Sequence, residues 1–144
     1  MSTIVVGYDG SGCSVAALRW AMAEATAHDK WMSVVSVVEP RQVPSLWTAS
    51  VFVPPQDRDL VNARERAEDA VAKVAADLGV TPRAEVTVLV GHAGPTLVKA
   101  ADDAELLVVG SHGHSAVECM LLGSISTFAT HHARCPLAVI RSID

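Results

Sequence analysis

Residues Val108 to Ser126 read VVGSHGHSAVECMLLGSIS, and this stretch decides the fold. It continues an apolar run, LLVVG over 106–110. A run of that length and composition, bounded by turn residues, suits a strand buried on both faces. Glycines interrupt it at Gly110 and Gly113, and Gly123-Ser124 follows where a helical pattern begins. Written as a spacing, this is G-x2-G-x9-G-S. Glycine admits positive φ and lets the backbone come close to a ligand without a Cβ in the way. Successive N–H groups in such a turn form an anion nest. A helix start beside it adds free N–H groups and the positive end of the helix dipole. Strand, glycine loop and helix start together point to a phosphate cradle. The plainer alternative is a loop whose glycines only serve turns.

The chain on either side repeats the strand–helix alternation. TIVVGY over 3–8 reads as a central strand, closed by the turn residues Asp9-Gly10-Ser11. Ser11 or Ser14 can cap the helix that follows. There Leu18, Ala21, Met22 and Ala25 recur at helical spacing, to about His28. WMSVVSVV over 31–38 is a second strand, stopped by Glu39-Pro40. Residues 40–58, with four prolines, Trp47 and Phe52, keep no period and read as a long surface loop. Leu60, Ala63, Ala67, Ala70, Val71, Val74 and Leu78 then form the stripe of a second helix, ended by Gly79. RAEVTVLV over 83–90 alternates at its start, as a partly exposed edge strand would. Gly91-His92-Ala93-Gly94-Pro95 leads into a short helix with proline expected at its first position. After the glycine loop, Ile125, Phe128, Ala129 and His132 share a helix face, and PLAVI over 136–140 is the fifth strand.

Strands alternating with helices predict one domain over 1–144: an α/β, Rossmann-like fold with an open parallel sheet and helices on both faces. Ligands in such sheets bind beyond the carboxyl ends of the strands, at the switch in strand order. Two strands end in conspicuous loops, one at Asp9-Gly10-Ser11 and one at the glycine loop, so the site belongs where they meet. The 144 residues are 50% hydrophobic but only 4% aromatic, so the core must be built from Val, Ala, Leu and Ile. A net charge of -5 argues against a general nucleic-acid binder. With no apolar run of membrane-spanning length and no charged lead into an apolar segment, a soluble cytoplasmic protein is expected. Cys13, Cys119 and Cys135 show no C-x-x-C spacing, and three reduced thiols are the simplest account.

The sequence resembles the universal stress protein family across essentially its whole length. The resemblance is carried by IVVGYDGS over 4–11, ALRWAMAEA over 17–25, SVVEP over 36–40, VTVLVGHAGP over 86–95, LLVVGSHG over 106–113 and HHARCPLAVIR over 131–141. The ATP-binding branch of that family carries G-x2-G-x9-G-S/T, which Gly110, Gly113, Gly123 and Ser124 match position by position. The resemblance implies a five-stranded parallel sheet, order 3-2-1-4-5, with four helices. It implies that Asp9 lies against the adenosine part and that Val37 offers backbone groups to the adenine edge. Gly110 and Gly113 would bring backbone close to ribose and phosphates; Gly123 and Ser124 would hold the β- and γ-phosphates. ATP with Mg²⁺ or Mn²⁺ is the implied ligand, the ion held mainly by the phosphates. Relatives also dimerise through the last strand, here Leu137 to Ile140, whose apolar edge invites pairing.

The loop departs from the pattern in reading His112, His114, Ser115, Ala116, Val117, without the further glycines and basic residue of many relatives. Backbone and metal would then supply most of the phosphate neutralisation, and Glu118 is expected to face solvent. Enzyme readings are weak. There is no G-x-x-x-x-G-K-[ST] loop, no G-x-S-x-G elbow and no residue placed as a base, so at most slow ATP hydrolysis is expected. His112, His114, Cys119, His131, His132 and Cys135 crowd the last third but in no compact ligand spacing, so no dedicated metal site is expected. The rival to a nucleotide-responsive stress or signalling module is a nucleotide-free interaction protein of the same fold, docking an unknown protein partner through the loop with Trp47 and Phe52.

Overall fold

The computed structural model describes residues 2–47, 49–112 and 122–142. The elements are β1 (Thr3–Gly7), α1 (Gly12–Ala27), β2 (Trp31–Val38), β3 (Arg41–Val43), β4 (Val51–Val53), α2 (Asp57–Leu78), β5 (Ala84–Val90), α3 (Ala93–Ala100), β6 (Leu106–Gly110), α4 (Ser124–His132) and β7 (Leu137–Ile140). The main sheet has five strands in the order β5-β2-β1-β6-β7, every pairing parallel. With the small hairpin β3-β4 set aside, this is the expected order 3-2-1-4-5.

The period-2 geometry of a strand divides its residues between two cores. Ile4 and Val6 of β1 face α1 and α2, where they join Leu18, Met22, Met32, Val34, Val74 and Val108. Val5 faces the other way and joins Val35, Leu97, Val98, Leu107, Val109 and Ala129 under α3 and α4. Leu18 and Met22 are fully buried. Each such side chain contributes roughly 1.5–3 kcal/mol of transfer free energy, so Leu18→Ala removes one anchor of α1.

Helix ends follow local chemistry. Ser11 caps α1, its Oγ accepting from Ser14 N at 3.2 Å. Gly79 ends α2 in the left-handed region at φ 66°, where Cβ-bearing residues are strained. Two expectations are corrected. Residues 40–58 are not a plain loop: Arg41–Val43 pairs antiparallel with Val51–Val53. Pro95 stands at the third position of α3, not the first, because the helix begins at Ala93 with His92 as its cap.

Candidate functional site

At the carboxyl end of the sheet, between the ends of β1 and β6, lies a cavity of about 700 Å³. Asp9, Val37, Gly110, Gly123 and Ser124 all line it. The sixth expected site residue, Gly113, lies outside the described residues, as do His114 and Glu118.

Each wall has a local cause. Asp9 Oδ1 accepts from Ser11 N at 2.8 Å, and Ser14 Oγ donates to Ser11 O at 2.9 Å. This side-chain turn fixes the exit of β1 and places Ser11 and Ser14 in the lining. Val37 follows from strand register. The β1–β2 pairing ends at Gly7–Val35, with Tyr8 N donating to Val35 O at 2.9 Å. Backbone groups alternate in direction along a strand, so Val37 points its N–H and C=O to the same side as Val35, beyond the last β1 bond. That side opens into the cavity.

Three helix starts converge on the cavity. Ser11 and Ser14 mark α1; Ala93, Gly94 and Pro95 open α3; Ser124, Ile125 and Ser126 open α4. Neither N-cap residue, His92 of α3 or Gly123 of α4, makes a side-chain cap hydrogen bond. The start of α4 is held down by Ser126, whose buried Oγ donates to Ser111 O at 2.8 Å and Gly123 O at 3.0 Å. Gly123 N also donates to Ser111 O, at 2.7 Å. These bonds draw the two ends of the glycine loop together.

Close backbone packing, without positive φ, sets the two described motif glycines that line the cavity. Positive φ among the described glycines occurs at Gly10, Gly79 and Gly91, so Gly110 and Gly123 do not use the left-handed region. A Cβ on Gly110 would come within 2.7 Å of the Cys13 carbonyl carbon, and one on Gly123 within 2.9 Å of His112 Cα. Both positions need glycine because two backbone segments touch there.

Sequence reasoning missed Tyr8, Glu39, His92, Phe128 and the start of α3 as lining residues. The Gly91–Pro95 turn was the available signal for α3. Glu39 and His92 meet at the rim, Oε2 to Nδ1 at 3.6 Å, and Phe52 of the hairpin meets His92 edge-on. Tyr8 is held above the ordinary phenol pKa by burial, with the negative charge of Asp9 adding to it. Among the described residues no group of three or more His, Cys, Asp or Glu side chains could hold a metal ion. No described helix is long and apolar enough to cross a membrane.

A parallel doubly wound sheet with a cavity at its topological switch defines a Rossmann-like fold. The chain matches the universal stress protein family over residues 1–141 and belongs to it. A universal stress protein of Mycobacterium tuberculosis is 37% identical over 142 residues, covering 99% of this chain and 49% of that protein. One from Mycolicibacterium smegmatis is 34% identical, covering 98% of this chain and 48% of its own length. The chain thus spans about half the length of the curated relatives it matches. Among solved structures, a universal stress protein in complex with cAMP aligns with a TM-score of 0.68 at 25% identity, covering 97% of this chain and 96% of the other. The universal stress protein of Archaeoglobus fulgidus in complex with dAMP aligns with a TM-score of 0.70 at 23% identity, covering 97% and 98%.

Proposed function

We propose that this protein binds an adenine nucleotide, ATP with Mg²⁺ or Mn²⁺, in the cavity between β1 and β6, and acts as a nucleotide-responsive stress or signalling module. The observation that carries this reading is the meeting of Asp9, Val37, Gly110, Gly123 and Ser124 around one cavity of about 700 Å³. That volume lies in the range of small-molecule sites. The starts of α3 and α4 suit phosphate oxygens, since their N–H groups and dipoles favour negative charge. Val35, Leu97, Val109 and Phe128 give the cavity apolar surface for a base and sugar. Gly123 and Ser124 would hold the terminal phosphates, and Val37 the adenine edge through its backbone. A bound divalent ion would supply charge neutralisation, held mainly by the phosphates. The complexes of relatives with cAMP and dAMP support the adenine preference.

At most slow hydrolysis is proposed for the site. The cytoplasm is the proposed compartment, and a homodimer through β7 the proposed assembly.

Calorimetry tests the reading. Protein unfolded and refolded to strip any bound ligand is titrated with Mg-ATP, AMP and cAMP. Saturable heat with Mg-ATP is expected. The absence of heat and of any thermal shift at millimolar concentrations of all three overturns nucleotide binding. A specific feature supports the nucleotide-free alternative: at the hairpin tip Leu46 is 99% and Trp47 93% exposed, as suits a protein-docking arm. A negative titration would leave that reading in place.

A further inference from the structure

At the cavity wall, three side chains from two distant segments form a cluster to which the proposed nucleotide contacts assign no role. Cys13 stands at the second position of α1, directly behind Gly110. Its Sγ lies 3.5 Å from Ser111 Oγ, and 3.5 and 3.7 Å from His112 Nε2 and Nδ1. The sulfur is therefore nearly equidistant from the two ring nitrogens. Ser111 Oγ is also 3.1 Å from His112 Nδ1, so the hydroxyl orients the ring while Nε2 is the nitrogen nearer the thiol.

This is the arrangement of an activated nucleophile: a thiol, a base within reach, and a third group that orients the base. It also sits at a helix start, where the dipole favours the thiolate. Burial raises the Cys13 pKa. Hydrogen bonds from the Ser111 hydroxyl and from the backbone of Ser142, His112 and Ser111 outweigh that and hold it below the ordinary thiol value. Cys135 provides the contrast within the same chain. It is half-buried, and burial pushes its thiol up.

We propose that Cys13 is a redox modification site for small hydroperoxides, activated by His112 and oriented through Ser111. His112 Nε2 takes the thiol proton. The thiolate sulfur attacks one oxygen of the hydroperoxide, an S–O bond forms and the O–O bond breaks. The departing oxygen takes the proton back from His112 and leaves as water or an alcohol. Cysteine is oxidised by two electrons to the sulfenic acid, the hydroperoxide is reduced by two, and a thiol reductant reverses the change. The site selects small oxidants because Cys13 is only 3% exposed. His112 lines the cavity on its other side, so an oxygen added to Sγ presses on a residue of the binding wall.

The test is trapping with a sulfenic-acid probe after brief treatment of the reduced, full-length protein with hydrogen peroxide, read by peptide mass spectrometry. Trapping at Cys13 is expected at least about tenfold faster than at Cys135 at neutral pH. His112 is the titratable side chain in contact with the thiol among the described residues. The pH profile of Cys13 trapping should therefore move upward in His112→Ala and in Ser111→Ala. Faster trapping at Cys135 or Cys119 would overturn the proposal, as would a Cys13 pH profile that neither substitution moves. Cys13→Ser identifies the trapped peptide and leaves the other two thiols to report their own rates.

Discussion

Gly110 rests against Cys13 so closely that any Cβ at position 110 would sit 2.8 Å from the Cys13 Cβ and 2.7 Å from its carbonyl carbon. The first glycine of the loop motif is thus a packing requirement between β6 and α1. Gly110→Ala must push backbone away from backbone, and overpacking of that kind costs about 1–3 kcal/mol. A fall of roughly 3–10 °C in the thermal midpoint is expected. Gly12→Ala is the control, because a Cβ there meets nothing within 4 Å. It should leave the midpoint unchanged or raise it slightly. Equal midpoints for both variants would contradict the close contact.

Two serines in the first turn of α4 should separate binding from stability. Ser124 is exposed and lines the cavity, so Ser124→Ala should leave the midpoint within error. It should weaken nucleotide binding by on the order of 1.5–3 kcal/mol, the worth of a hydrogen bond to a charged group. Ser126 is 1% exposed and donates to Ser111 O and Gly123 O. Both carbonyls keep a second donor, Gly123 N and Thr127 N respectively, so Ser126→Ala should cost only about 1 kcal/mol of stability. Denaturant titration beside calorimetry reads the two effects. A Ser124→Ala variant that loses stability but not affinity would remove Ser124 from the site.

The meeting of Asp9, Gly110, Gly123 and Ser124 was legible because strand-end position and loop spacing are both written in the chain, whereas Val37 was expected only from the family resemblance. The reason for the glycines was not. Whether a missing Cβ makes room for a ligand or for Cys13 depends on which segments cross behind it, and that is a property of the fold. The hairpin Arg41–Val43 with Val51–Val53 also escaped the reading. Three-residue strands are too short to show a period, and Pro44 and Pro54 just outside them suggested only a loop. The run Val51-Phe52-Val53 was the available signal. Pro95 was misplaced by two positions because His92, which supplies no side-chain hydrogen bond as a cap, gives no sequence mark of a helix start.

Gly113 lies outside the described residues, yet the motif still makes a forecast for it. A branched side chain at the second motif glycine should obstruct the close approach of backbone to ribose and phosphates. Gly113→Val is expected to abolish nucleotide binding in calorimetry with the thermal midpoint unchanged. Binding equal to that of the unaltered protein would mean that this glycine serves only a turn.

The two described thiols should affect stability with opposite pH dependence. Cys13 titrates lower in the folded protein than in the unfolded chain, so the folded state favours its thiolate. Its contribution is absent below the folded pKa, grows as pH rises through it, and is complete above the unfolded value. Cys135 titrates higher when folded, chiefly through burial, so its neutral thiol is favoured. Its contribution is complete below the unfolded pKa and is lost as pH rises through the folded one. Denaturant unfolding of the protein beside Cys13→Ser and Cys135→Ser, across the thiol range under reducing conditions, reads the differences. The stability gap to Cys13→Ser should widen as pH rises and that to Cys135→Ser should shrink. Gaps moving in the same direction would contradict the environments of both sulfurs.

Assembly turns on the free edge at β7, which pairs only with β6 among the described strands. Pro136 O accepts from Leu107 N and Ile140 O from Ser111 N, so alternate residues 136, 138 and 140 point their backbone groups toward β6. Leu137 and Val139 therefore point theirs outward. Edge pairing with a second copy would be antiparallel and two-fold symmetric. Val139→Pro removes one outward N–H and leaves the bonds to β6 in place, and proline is tolerated on edge strands. Light scattering at micromolar concentration should report a dimer for the unaltered protein and a monomer for Val139→Pro. Circular dichroism should show the fold retained in both. A dimer that survives Val139→Pro would place the interface elsewhere, and a monomeric unaltered protein would remove edge pairing from the account.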